Sequence, residues 1–194
     1  MRSRSRGKPC LARAAALWLA LLFALPALAK EREGVTAPPT IQVEGKTLNL
    51  MGMGLRKKLW VKVYLASFYL ENPTADAEQA IASEQTKRVQ MNMLRDLDRG
   101  KIVEAVQQGF ERNTGDQLPR LQERLDRFLR AIPDLKGGQT IVITYFPGKG
   151  TLIKPGLGEE VAIPGKDFAD ALFSVWLGKS PVDDELKQEM LANR

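Results

Sequence analysis

Apolar residues recur along this chain with two periods, and each change of period marks an element. Ile41-Gln42-Val43 and Leu48-Asn49-Leu50 alternate on either side of Glu44-Gly45-Lys46, which predicts a hairpin. Gly52-Met53-Gly54 and the turn-like basic segment Arg56-Lys57-Lys58 come next, then a long β-prone run from Leu59 to Leu70. As a strand that run places Leu59, Val61, Val63 and Leu65 on one face, which reads as ordinary core. The other face, Trp60, Lys62, Tyr64, Ala66 and Phe68, mixes aromatic rings with a cation. Asn72-Pro73-Thr74 ends the strand, and a short helix is expected over 76–83. Lys87 to Arg95 alternates again, with Val89, Met91 and Met93 facing one way.

The period then becomes helical. Ile102, Val103, Val106 and Phe110 form a stripe on a helix capped by Asp98 and running to about Asn113. Pro119 sits in the first turn of a second helix whose stripe is Leu121, Leu125, Phe128, Leu129 and Ile132. Gln139 to Phe146, Thr151 to Lys154 and Glu159 to Ile163 read as a meander broken by Pro147-Gly148-Lys149-Gly150 and Pro155-Gly156-Leu157-Gly158. A helix from Lys166 to Leu177 stops at Gly178, and Ser180-Pro181 with Asp183 opens a last one carrying a first-turn proline. Strands, helices, strands and helices in that order argue an α+β domain, helices layered on an antiparallel sheet.

The amino terminus stands apart. Arg2, Arg4, Arg6, Lys8 and Arg13 precede an apolar run from Ala14 to Leu25, and Ala27-Leu28-Ala29 supplies small residues for cleavage after Ala29. The run is shorter than the roughly 20 residues a membrane-spanning helix needs. Residues 1–29 are therefore expected to be a cleaved signal peptide, 30–39 a flexible leader and 40–194 one domain, periplasmic or secreted, with no integral membrane segment left after cleavage. Removing five of the 29 basic residues leaves 24 against 23 acidic ones, so the mature chain lacks the electrostatic footprint of a nucleic-acid binder. Cys10 goes with the signal and does not follow the apolar run as a lipidated cysteine would. The mature chain then holds neither thiol nor histidine, which excludes Cys/His zinc sites, Cys–His pairs and Ser-His-Asp triads.

The remaining chemistry lies with Arg, Lys, Tyr, Asp, Glu and backbone. Gly148-Lys149-Gly150-Thr151 misses the phosphate-loop spacing and reads as a hairpin turn, and Gly52-Met53-Gly54 lacks the third glycine and following helix of a dinucleotide site. The two glycines instead mark backbone that something approaches closely. Asp183-Asp184-Glu185 and Glu159-Glu160 read as solvated charge. Met51, Met53, Met91 and Met93 suit core filling better than a copper site, so no metal and no cofactor is expected. Arg56 with Tyr64 or Tyr69 is the best constellation: a guanidinium and a phenol together offer donors that hold an anionic head group at the mouth of an apolar pocket. By residue type alone, a surface arginine beside two core tyrosines is an equal reading.

In one order along most of the mature chain stand Gly52-Met53-Gly54-Leu55-Arg56-Lys57-Lys58, Lys62-Val63-Tyr64-Leu65-Ala66, Phe68-Tyr69-Leu70 and Met93-Leu94-Arg95-Asp96. They are followed by Phe146-Pro147-Gly148-Lys149-Gly150, Pro164-Gly165-Lys166-Asp167-Phe168-Ala169 and Trp176-Leu177-Gly178-Lys179-Ser180-Pro181. With these the chain resembles the chalcone isomerase-like family in its bacterial exported branch. The resemblance implies an open-faced β-sandwich, a large antiparallel sheet backed by helices with a ligand cleft between them. It also implies the positions that the isomerases use. Arg56 matches their early arginine, but Tyr64 stands at the threonine's place, Ile102 and Gly109 near the helix tyrosine and asparagine, and Val175 near the late hydroxyl. No catalytic residue set is therefore assigned. The family's non-catalytic fatty-acid binders, which hold the carboxylate with an arginine and a tyrosine, are the better match. The expected role is an exported binder of a fatty acid or similar amphipathic anion, with Arg56, Tyr64 and Tyr69 as candidate ligand residues. Two alternatives remain open: an isomerase or intramolecular lyase acting on a chalcone-type, flavonoid-like unsaturated carbonyl, and an envelope protein-interaction module.

Overall fold

The computed structural model describes residues 29–192. The export segment expected over 1–29 lies outside them except for Ala29. A small hairpin comes first, β1 (Lys30–Arg32) with β2 (Val35–Ala37). The main sheet then runs β3 (Thr40–Val43), β4 (Lys46–Lys58), β5 (Val61–Leu70), β6 (Lys87–Met93), β7 (Thr140–Phe146), β8 (Gly150–Pro155) and β9 (Val161–Ile163). Its seven strands pair antiparallel in sequence order, an unbroken meander. Helix α1 (Ala77–Ala82) joins β5 to β6, and α2 (Arg99–Thr114) and α3 (Leu118–Arg130) join β6 to β7. Helices α4 (Lys166–Leu177) and α5 (Asp184–Met190) close the chain. The expected α+β architecture of helices backing a large antiparallel sheet is the one observed.

Local chemistry accounts for most boundaries. Glu44 and Gly45, both at positive φ, form the tight two-residue turn that matches the twist of the β3–β4 hairpin. Asp98 caps α2 by accepting from Gly100 N at 2.8 Å, and Pro119 lies in the first turn of α3, where a missing N–H costs nothing. Asp183 is itself the cap of α5, accepting from Leu186 N at 3.0 Å, so Pro181 precedes that helix and does not lie in its first turn.

Three further expectations are corrected. Gly52-Met53-Gly54 and Arg56-Lys57-Lys58 lie inside β4, which is 13 residues long, because the neighbouring β5 supplies hydrogen-bond partners along the whole stretch. Leu59 and Trp60 belong to the β4–β5 turn, not to the strand, since Lys58 already pairs with Val61. Residues 30–39, read as a flexible leader, carry the β1–β2 hairpin. It is held because Ala37 and Val35 find an apolar partner surface on the sheet's outer face.

Both faces of the sheet are covered. The larger cluster lies between the sheet and α2, α3 and α4, and includes Phe68, Val89, Met91, Phe110, Phe128 and Phe168. The smaller one, on the outer face, gathers Leu48, Leu50, Met53, Leu55, Leu65 and Tyr69 under the segment from Val35 to Val43. Met53 thus lies in a different cluster from Met51, Met91 and Met93, and the four thioethers are spread through core.

Candidate functional site

Arg56 reaches the helix side of the sheet through an irregularity in β4. Leu48 and Leu50 point to the outer cluster, but the pairing slips by one residue at Met51, between Leu50↔Tyr69 and Gly52↔Phe68. A bulge of this kind inserts a residue and reverses the side-chain alternation beyond it. Met53 and Leu55 then point outward, while Gly52, Gly54 and Arg56 face the helices. Helix α5 lies directly on the two glycines: a Cβ on Gly54 would stand 2.7 Å from the Leu186 carbonyl oxygen, and one on Gly52 would overlap that of Glu189. The close approach expected at these glycines is therefore made by the chain's own last helix.

Register places Arg56 directly opposite Tyr64 on β5, so the two side chains share a face at cross-strand distance. Arg56 donates through Nη1 to Asp183 Oδ2 at 2.9 Å and to the Lys57 carbonyl. The Arg56 and Asp183 side chains are only 21% and 17% exposed, so solvent screens their attraction less than that of a surface ion pair, and the carboxylate offsets part of the guanidinium charge. Tyr64 Oη accepts from Trp176 Nε1 at 3.2 Å. Because that bond fills an acceptor position, the Tyr64 hydroxyl proton is left to be donated. Burial pushes the Tyr64 phenol up to about 12, against the Trp176 donation and the Arg56 charge, which favour the phenolate. Near neutrality Tyr64 is a protonated donor, not a base.

These groups open on a cavity of about 290 Å3 between sheet and helices. Met91, Ile141 and Ile143 line its sheet side, and Val106, Phe128 and Ile132 its helix side. Its outer lining carries the exposed side chains of Lys58, Lys101 and Arg112 with Glu104. The arrangement suits a ligand with an apolar body and a negatively charged end. Ile102, Gly109 and Val175 all line it, and Gly109 is packed so closely that a Cβ there would lie 2.8 Å from Val175 Cγ2.

Arg56 and Tyr64 are brought together; Tyr69 is not with them. Odd and even positions of β5 face opposite ways, and Tyr69 lies in the outer cluster, its hydroxyl donating to the Pro38 carbonyl at 3.2 Å. There it fastens the segment that follows β2. Trp176 and Asp183 were not among the candidates from sequence. Trp176 reads only as one member of an apolar stripe, and Asp183 as a cap within a run of solvated charge. The second reading is corrected for Asp183, which is largely buried against Arg56, because nothing local indicates that either residue meets a strand more than 100 residues away.

A family model described as chalcone isomerase-like matches residues 29–192. No curated protein sequence matches the chain. Among solved structures, the chain is similar to the crystal structure of a fatty-acid binding protein from Arabidopsis thaliana. The TM-score is 0.63 at 18% sequence identity, covering 84% of this chain and 96% of that one, a likeness of fold.

Proposed function

The chain belongs to the chalcone isomerase-like family, and from that premise we propose that it is an exported, non-catalytic carrier or sensor that binds a fatty acid or similar amphipathic anion in the cleft between sheet and helices. The observation that carries this reading is the Arg56–Tyr64 pair set at a cavity whose walls on the sheet and helix sides include Met91, Ile141, Ile143, Val106, Phe128 and Ile132. The guanidinium keeps donors beyond the Nη1 used by Asp183, and the neutral phenol adds one more, so a carboxylate would meet charge-assisted hydrogen bonds as its tail enters apolar surroundings. Similarity to a protein titled as a fatty-acid binder agrees with this ligand class.

An isomerase reading has less support. Ile102, Gly109 and Val175 offer no side-chain hydrogen-bond donor where the resemblance puts the isomerases' polar residues. Tyr64 is also held protonated, which suits donation and not proton abstraction. Export rests on the basic and apolar character of residues 2–25 and the small residues before Lys30.

Calorimetric titration of the purified protein with lauric, palmitic and stearic acids tests the ligand class. Saturable binding that weakens roughly tenfold or more in Arg56→Ala is expected, from the worth of a hydrogen bond to a charged group. No binding, or binding indifferent to Arg56→Ala, overturns the reading. Amino-terminal sequencing of the protein recovered from the periplasm or medium tests export, with Lys30 expected first.

A further inference from the structure

The turn between β4 and β5 holds Leu59 and Trp60, 80% and 84% exposed. A two-residue hairpin turn with positive φ at its first position favours Gly or Asn there, yet that position is Leu59, at φ 58°. Neither turn geometry nor the core calls for two large apolar side chains at this place. A third exposed large apolar side chain among the described residues, Leu157 at 94%, lies in the β8–β9 turn. Turns of an antiparallel meander alternate between its two ends, so the β4–β5 and β8–β9 turns share one end of the sheet with the β6–β7 connection that carries α2. The exposed apolar tips therefore gather at one end, and Lys58, which adjoins Leu59, lines the cavity.

We propose that this end docks on a lipid membrane, with Leu59 and Trp60 seated at the boundary between headgroups and acyl chains and the cavity turned toward the bilayer. Two side chains on a narrow tip are far too little for a stable protein interface, which covers about 800 Å2 on each partner. They suit an interfacial anchor, where Trp sits at headgroup level and neighbouring lysines extend their apolar stems past it. Lys57 and Lys62 flank the tip but are paired, with Glu185 at 3.2 Å and Glu33 at 2.7 Å. Lys58 has no ion pair among the described residues. Insertion of the apolar tip thus leads, and attraction of Lys58 to anionic headgroups adds a smaller part. Docking of this kind goes beyond the ligand reading and does not depend on it, since it needs no occupied cavity.

The test is co-sedimentation of the full-length chain, purified as its host leaves it, with phosphatidylcholine vesicles containing phosphatidylglycerol. It is compared with the double variant Leu59→Asn/Trp60→Ser, in which Asn suits the left-handed position and the turn is kept. Residues 1–28 are common to both proteins, so whatever binding they contribute cancels. The expected result is vesicle partitioning that falls roughly tenfold or more in the double variant, and a few-fold in Lys58→Gln, with unchanged thermal melts. Equal partitioning of wild type and double variant, or none by either, overturns the proposal. Because no fatty acid is present, failure here and failure of the ligand titration are separate results.

Discussion

Arg56 Nη1 stands 2.9 Å from Asp183 Oδ2, an ion pair that ties the strand bearing the candidate anion site to the residue capping α5. The other carboxylate oxygen, Oδ1, accepts from Leu186 N at 3.0 Å. One aspartate thus starts a helix and orients a guanidinium. It also competes with any incoming carboxylate for that guanidinium, and this competition makes the site testable.

Asp183→Asn removes the competing charge but retains a good capping side chain. It is expected to tighten binding of a fatty-acid anion roughly three- to tenfold, by about 1 kcal/mol, while the ligand-free protein melts lower because the mostly buried guanidinium has lost its carboxylate. Calorimetry on wild type and variant checks it; unchanged or weaker affinity would mean that Arg56 does not meet the ligand.

Tyr64→Phe removes one neutral donor and leaves the ring in place. A loss of about 1 kcal/mol in binding, roughly fivefold, is expected. Trp176→Phe, which takes away the hydrogen bond to Tyr64 Oη, should cost less than Tyr64→Phe. The two together should cost less than their sum, because both act through one hydroxyl.

Gly52→Ala forces a methyl group against the backbone of α5 at Glu189 and Met190. Backbone cannot step aside as a side-chain end can, so destabilisation of about 3 kcal/mol is expected, at the upper end for overpacking. Thermal unfolding reads the loss, and hydrogen exchange should find it concentrated in α5.

Alkaline pH should first stabilise the protein and then weaken it. Lys87 is fully buried against the rings of Tyr145 and Phe173, its ammonium donating to the Ala80 carbonyl at 3.0 Å and to that of Ile81. Burial, aided by the Lys166 charge and opposed by Asp170 and Glu84, pulls its pKa from 10.5 down to about 8. Between those values the unfolded chain holds a proton that the folded one has released, so stability rises with pH, by on the order of 3 kcal/mol. Tyr64 and Tyr69, both pushed up mainly by burial to about 12 from 10.0, act in the opposite sense above about pH 10, where unfolded phenols ionise first. The urea midpoint should therefore climb from about pH 8 and turn over near 10, and Lys87→Met should flatten the climb.

Much of this architecture is legible in one dimension. The last long helix appears as Phe168, Ala171, Leu172, Val175 and Trp176 bounded by Lys166 and Gly178, and it is α4 end for end. The meander from Thr140 to Ile163 is marked by its turn clusters, which work through local backbone preference alone. Less legible are stretches whose state depends on a distant partner. Gly52-Met53-Gly54 is strand interior because β5 lies beside it, and Val35-Thr36-Ala37 is ordered because the outer face receives it.

The same distinction runs through the site. That Arg56 faces Tyr64 does not follow from the tight turn, since Lys58↔Val61 and Lys57↔Lys62 alone would set Arg56 opposite Val63, and a second slip between Arg56 and Lys57 moves it to Tyr64. Nor does the side of the sheet that Arg56 faces, because side-chain direction alternates by residue and the extra residue at Met51 reverses it. Without that slip Arg56 would follow Leu48 and Leu50 to the outer cluster. Sequence alone determined the antiparallel sheet, its helical backing and the absence of histidine. Tertiary structure decided that Arg56 reaches the cavity, that Tyr69 does not, and that Asp183 stands in between, since each is a meeting of residues that no local preference brings together.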